Sequence, residues 1–234
     1  MTAVLKREFK AYFYTPLGYV FIGAYWLFTG FFFFNYNLYG NSSDLRLLFS
    51  TLFTVTLFLV PILTMRLLSE DRKMKTDFIF LMSPLGGAAV ITGKYLAALC
   101  VYLLALSGVL LVSLVVEAVS GAEWPVIIGH FTGLFLLGSA LTAIGLFISA
   151  LTEHQIIAAI GGYCAGFLMM LLDGAAVILP KSSLAELLKF LSFNTRYEYF
   201  TLGILGIDHI IYFISISAFF VFLTVTRFEK RRRT

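Results

Sequence analysis

Chemistry is most nearly suggested where a glycine-rich stretch ends in a lysine. Gly86-Gly87-Ala88-Ala89-Val90-Ile91-Thr92-Gly93-Lys94-Tyr95 has the outline of a phosphate-binding loop, in which backbone amides cradle phosphate and the lysine neutralises it. Its first glycine is misplaced by one residue, and Tyr95 stands where a magnesium-binding Ser or Thr is needed. Nothing strand-like precedes it. Nucleotide chemistry is therefore expected from another polypeptide, and Lys94→Ala is expected to leave the turnover of an assembled complex largely intact. Glu153 and His154 supply two metal donors and no third nearby, too few for a site, so a solvated turn is the reading. There is no His-Glu-x-x-His, no Gly-x-Ser-x-Gly and no pair of intramembrane aspartates. The residues point to no catalytic group, no cofactor and no metal. Cys100 and Cys164 sit inside apolar stretches and read as small buried or lipid-facing residues, not a disulfide.

The elements that would carry such residues are dictated by composition. With 60% hydrophobic and 13% charged residues and a mean hydropathy of +0.93, most of the chain must be solvated by lipid. A helix needs roughly 20 apolar residues to cross the hydrocarbon core. Such windows lie near Leu17 to Leu38, Phe49 to Leu68, Lys94 to Val116, Val126 to Leu151, Gln155 to Leu179 and His209 to Thr226. They are continuous apolar runs, unlike the alternating segments of a membrane β-barrel. The expectation is one all-α integral membrane domain over residues 1–234 with six transmembrane helices. Met1 to Pro16 carries charge throughout and reads as retained, not as a cleaved signal.

An ion-coupled carrier needs ionisable groups at the membrane midplane. Glu117, Asp173, His130, His209 and Arg66 instead fall near span ends, where exposure to the interface is expected. Thirteen of the seventeen lysines and arginines lie before the first span, between the second and third, or after the last. Arg46, Lys181, Lys189 and Arg196 lie on the other side. By the positive-inside rule both termini are cytoplasmic, in the cell membrane. The terminal run Arg227 to Arg233 reads as an anchor to anionic membrane lipid, with no nucleic-acid partner needed to explain it. The phenylalanines Phe31 to Phe34 point all around a helix and read as lipid and packing contacts.

Three segments outside the spans are patterned. Residues 1–16 form an amphipathic interfacial helix, with Leu5, Phe9, Tyr12 and Phe13 on one side, Lys6, Arg7 and Lys10 away from it, and Pro16 as its end. Residues 69–93 form a cytoplasmic loop in which Met74, Phe78 and Leu81 share a helical face. Ser83-Pro84 and Gly86-Gly87 terminate that helix. Its face fits a membrane surface or a groove on a soluble protein equally well. Residues 180–208 form an extracytoplasmic helical loop, with Leu184, Leu187, Leu188 and Leu191 as a cap over the outer mouth.

These residues, in this order, resemble the permease subunits of type-2 ABC exporters, and among them gliding-motility-type ABC permeases. The resemblance covers essentially the whole chain. It is carried by Lys6-Arg7-Glu8 before Pro16, by Met65-Arg66-Leu67-Leu68-Ser69-Glu70, and by Lys75-Thr76-Asp77, Leu81, Ser83-Pro84 and Gly93-Lys94. Gly145, Ser149, Leu151-Thr152-Glu153 and Gln155 continue it, as do Phe200, Gly203-Ile204-Leu205 and Asp208. Lys75 departs from a frequent glycine and Asp77 from a usual glutamate. The resemblance implies two paired permease chains, the second a copy or a homologue, with two separate ABC ATPase subunits below them. It makes the first cytoplasmic loop a coupling helix, with Glu70, Arg72, Lys73, Thr76, Asp77, Leu81 and Pro84 as ATPase-docking residues and the helix of Lys6, Arg7 and Glu8 bordering them. The functional expectation is a translocation path formed by the dimer. The alternative is a membrane anchor or regulator that links an ATPase to an extracytoplasmic accessory protein without moving a solute.

Overall fold

The computed structural model describes residues 1–75, 86–120, 124–178, 192–201, 203 and 206–233. It is helical throughout, with no strand among the described residues. Helix α1 spans Thr2–Tyr14 and α2 spans Pro16–Phe33, continued by a π-helical turn over Phe34–Leu38. Then come α3 (Arg46–Thr64), the short α4 (Ser69–Lys73), α5 (Gly87–Ser120), α6 (Trp124–Ser149), α7 (Gln155–Ile178), α8 (Phe193–Thr201) and α9 (Ile207–Arg233). Six helices are long and apolar enough to cross a membrane: α2, α3, α5, α6, α7 and α9. The chain is a multi-pass membrane protein.

Helix α6 is the core of the bundle. In its most apolar window 72% of the residues are buried inside the fold, against 22% in α7. Helices α3, α5, α7, α8 and α9 all pack on it. Lipid tails are as apolar as leucine, so helix association in a membrane relies on close backbone approach at small residues. The glycines of α6 permit that approach. A Cβ added at Gly138 would lie 2.1 Å from the Tyr102 ring, and one at Gly145 2.2 Å from Thr64 Oγ1. The same Tyr102 donates to the Leu134 carbonyl at 2.8 Å and meets Tyr25 edge-on, with centroids 6.0 Å apart. Tyr25 in turn bonds Thr56 at 3.2 Å, tying α2, α3, α5 and α6 together.

Two expectations change. Residues 87–93, expected in the loop, are the first turns of α5. The Gly86 carbonyl accepts from the Ala89 and Val90 amides, and Val90 and Ile91 are fully buried, so this short apolar run gains more as helix than as loop. His130 and His209, expected at an exposed interface, are 0% and 6% exposed. His130 lies flat on Phe49 at 4.2 Å, and His209 lies on Tyr199 at 4.3 Å. Their imidazoles are held as aromatic plates in the packing.

Several expectations agree with the structure. Cys100 and Cys164 are free and exposed on the bundle surface. Glu153 and His154 are exposed in the turn between α6 and α7. Phe31 and Phe34 face outward while Phe33 is buried, as four consecutive helical positions require. The leucine face at 184–191 and the loop helix at 76–85 lie outside the described residues.

Candidate functional site: a charged junction at one end of the bundle

The basic residues expected on one side gather at one end of the bundle, where α1, α4, the start of α5, the end of α6 and the end of α9 meet. Helix α1 packs along α5 and α2. Val4 touches the backbone edge of α5 where Gly93 leaves room: an added Cβ would be 3.0 Å from the valine side chain. Tyr12, also buried, donates its hydroxyl to the Leu63 carbonyl of α3 at 3.0 Å. Burial raises the Tyr12 phenol far above its ordinary pKa, with neighbouring Arg66 only partly opposing this.

Arg66 closes the other side of α1. Its guanidinium donates to Thr15 Oγ1 at 2.6 Å, pairs with Glu70 at 2.7 Å, and lies over the Tyr12 ring at 5.8 Å. Glu70 is one turn along from Arg66, where a helical carboxylate and guanidinium meet. Next to it, Ser149 at the end of α6 organises the turn before α4. Its Oγ accepts from the Leu68 and Ser69 amides, both at 3.0 Å, and donates to the Met65 carbonyl at 3.2 Å. These amides belong to a helix start, where intrahelical acceptors are missing. Arg72 reaches across to the Ala150 carbonyl at 2.5 Å.

At the centre is Lys94, whose side chain is only 2% exposed. Its ammonium lies 3.0 Å from Glu8 of α1 and 2.7 Å from Asp71 of α4. Glu8 also pairs with Arg7 at 2.8 Å. A buried charge is tolerated only when paired and hydrogen-bonded, so losing the shared cation is the costliest change here. One cation thus links three separate helices. The stretch that outlines a phosphate-binding loop is helix from Gly87 onward, and its lysine is engaged by two carboxylates.

The expected docking residues divide. Glu70 and Arg72 are half-buried and turned into the bundle, holding the turn that carries α4. Lys73 is exposed, as are Lys6 and Arg7 on α1. Thr76, Asp77, Leu81 and Pro84 lie outside the described residues. Beside the junction runs a cleft of about 310 Å3 between α1 and α4, bounded by Arg7, Glu8, Arg66, Glu70, Asp71 and Met74. Its charges are balanced, three basic against three acidic when Lys94 on its wall is included.

Lys94, Asp71, Tyr12 and Ser149 carry this junction, and sequence reasoning gave none of them such a role. Lys94 entered as the lysine of a rejected phosphate-binding outline and, like Ser149, as part of the family resemblance. Among them, only the lysine at the very start of a predicted span was a signal, since an ion drawn into an apolar run needs a counter-ion. No protein-family model and no curated protein matches the chain.

Proposed function

We propose that this protein is the membrane-spanning permease subunit of an ATP-driven ABC transporter, an exporter of the type-2 class. In this reading it acts as a dimer with a second copy or a homologous permease, forms the translocation path, and couples to separate ATPase subunits that hydrolyse the nucleotide. It resides in the cell membrane with both termini cytoplasmic, which is what the positive-inside rule gives for an end bearing α1, α4 and the basic tail of α9.

The observation that carries the reading is Lys94 between Glu8 and Asp71. A permease driven from outside itself needs the segment touched by the ATPase to be joined rigidly to a span. Here α4 leads directly into the expected docking loop, and its Asp71 is joined through Lys94 to the transmembrane helix α5. The amino-terminal helix is held by the same ion. Force applied to the loop is thereby delivered to α5 and α1 together.

The test uses the full chain and its ATPase copurified from membranes. Leu81→Asp would bury an unpaired carboxylate if Leu81 fills a pocket on the ATPase. It is expected to release the ATPase from a permease that still inserts, whereas Asp77→Arg and Glu70→Ala weaken the assembly less. ATPase recovered with Leu81→Asp at the unmodified level, with normal stimulation of turnover, overturns docking through this loop. ATPase-dependent solute movement in reconstituted vesicles is expected. A coupled ATPase without any such movement would make the chain an anchor or regulator.

A further inference from the structure

At the end of the bundle opposite the Lys94 junction, a groove of about 780 Å3 opens between α7 and α9. Its walls are apolar, with Met169 on α7 and Ile211, Tyr212, Ile216 and Phe219 on α9. Among the described residues its mouth carries one guanidinium and one carboxylate, those of Arg196 and Asp208. Arg196 and Asp208 are 3.3 Å apart, and Arg196 also bonds His209 Nδ1 at 3.2 Å and lies over the Tyr212 ring at 5.4 Å. The Arg196 side chain is 17% exposed, while that of Asp208 is 66% exposed.

From Asp208 to Phe219 the wall runs about 16 Å at 1.5 Å per helical residue. That is about half of a 30 Å hydrocarbon core. The groove therefore has the length of one acyl chain in one leaflet, with a charged pair at headgroup level. We propose that it binds a single phospholipid whose head is zwitterionic and ends in a primary ammonium.

Arg196 takes the phosphate and Asp208 the ammonium, and one acyl chain lies along Tyr212, Ile216 and Phe219. The arginine is positioned by Asp208, His209 and the Tyr212 ring, and its planar fork matches phosphate oxygens, which can take over the donor now given to Asp208. The Asp208 carboxylate is largely exposed, so its half of the pair is weakly held and a ligand presenting both opposite charges can exchange with it. A purely anionic head meets the Asp208 carboxylate unfavourably. A quaternary ammonium has no hydrogen to donate to it. The assignment rests on the groove alone and is independent of the transport reading.

Native mass spectrometry of the purified full chain, titrated separately with phosphatidylethanolamine, phosphatidylcholine and phosphatidylglycerol, tests this. Phosphatidylethanolamine is expected to saturate at one molecule per chain and to bind most tightly. Asp208→Asn should weaken it roughly tenfold, to the level of phosphatidylcholine, as loss of a charged hydrogen bond does. Ser215→Trp fills the groove from an exposed position, and Met169→Trp does so from the opposite wall. Either variant that keeps the unmodified melting temperature should lose all three lipids together. Equal binding of the three lipids, or unchanged binding in Asp208→Asn, overturns the site. So does quantitative cross-linking of Ser215→Cys between two chains, because the groove would then be covered by a second copy.

Discussion

At the level of single residues, the junction is held by charges that depend on one another, with Lys94 as the one shared by two carboxylates. Lys94→Met keeps most of the length of the side chain and deletes its charge, leaving Asp71 beside Glu8, which retains Arg7. A loss of about 3 kcal/mol is expected, read as a lowered unfolding midpoint in detergent. Adding Glu8→Gln and Asp71→Asn should recover most of it, which a purely steric defect would not allow. In the complex proposed above, Lys94→Ala is accordingly expected to impair assembly, and any loss of turnover would follow from that and not from lost nucleotide contact. Ser149→Ala strands the Leu68 and Ser69 amides and should cost about 2 kcal/mol, whereas Ser149→Thr, which keeps the hydroxyl, should cost less. Tyr12 gives a pH signature. Its folded pKa is raised, so its contribution is fully present below the ordinary phenol value near 10 and declines as pH rises past it. The fall in unfolding midpoint above pH 10 should be smaller in Tyr12→Phe, as a pH series of melting curves would show.

Helix by helix, the spans were legible because long apolar runs have one good solution in lipid, with every backbone group satisfied inside the helix. Six runs predict six helices, and the structure has them. Helix identity did not reveal helix neighbours. The spans of α6 and α7 are both uniformly apolar, yet one is the core and the other mostly surface. What separates them is shape, the placement of Gly138 and Gly145 against Tyr102 and Thr64, which hydropathy does not register. Gly138→Ala and Gly145→Ala are each expected to lower stability by about 1 to 3 kcal/mol through overpacking. Gly30→Ala in α2 has no atom within 4 Å of the added carbon and should be neutral or slightly stabilising. Thermal unfolding of the three variants side by side checks this. The start of α5 was misplaced for a related reason: Gly86-Gly87 reads as a terminator, and nothing local shows that it also serves as a beginning.

Across the whole molecule, the division of basic residues between two ends was legible from their order alone. The structure adds that those of one end lie on the elements that meet around Lys94. Cysteine labelling in intact cells, in a background lacking Cys100 and Cys164, should modify Ser42→Cys from outside and leave Lys73→Cys unmodified until the membrane is permeabilised. Labelling at 73 in intact cells would reverse the orientation. Ser69 is a poor inner probe because it is buried and would resist reagent on either side. Which distant residues share a charge was not legible, since Glu8, Asp71 and Lys94 are separated by whole spans and pair only after the bundle closes. That separation also sets an order of events during synthesis. Both carboxylates leave the ribosome before their lysine, so until residue 94 emerges the amino-terminal helix has Arg66 to hold it but neither Lys94 nor the α5 surface it packs on. A nascent chain arrested after residue 75 should leave α1 open to added protease, and one extended past α5 should protect it.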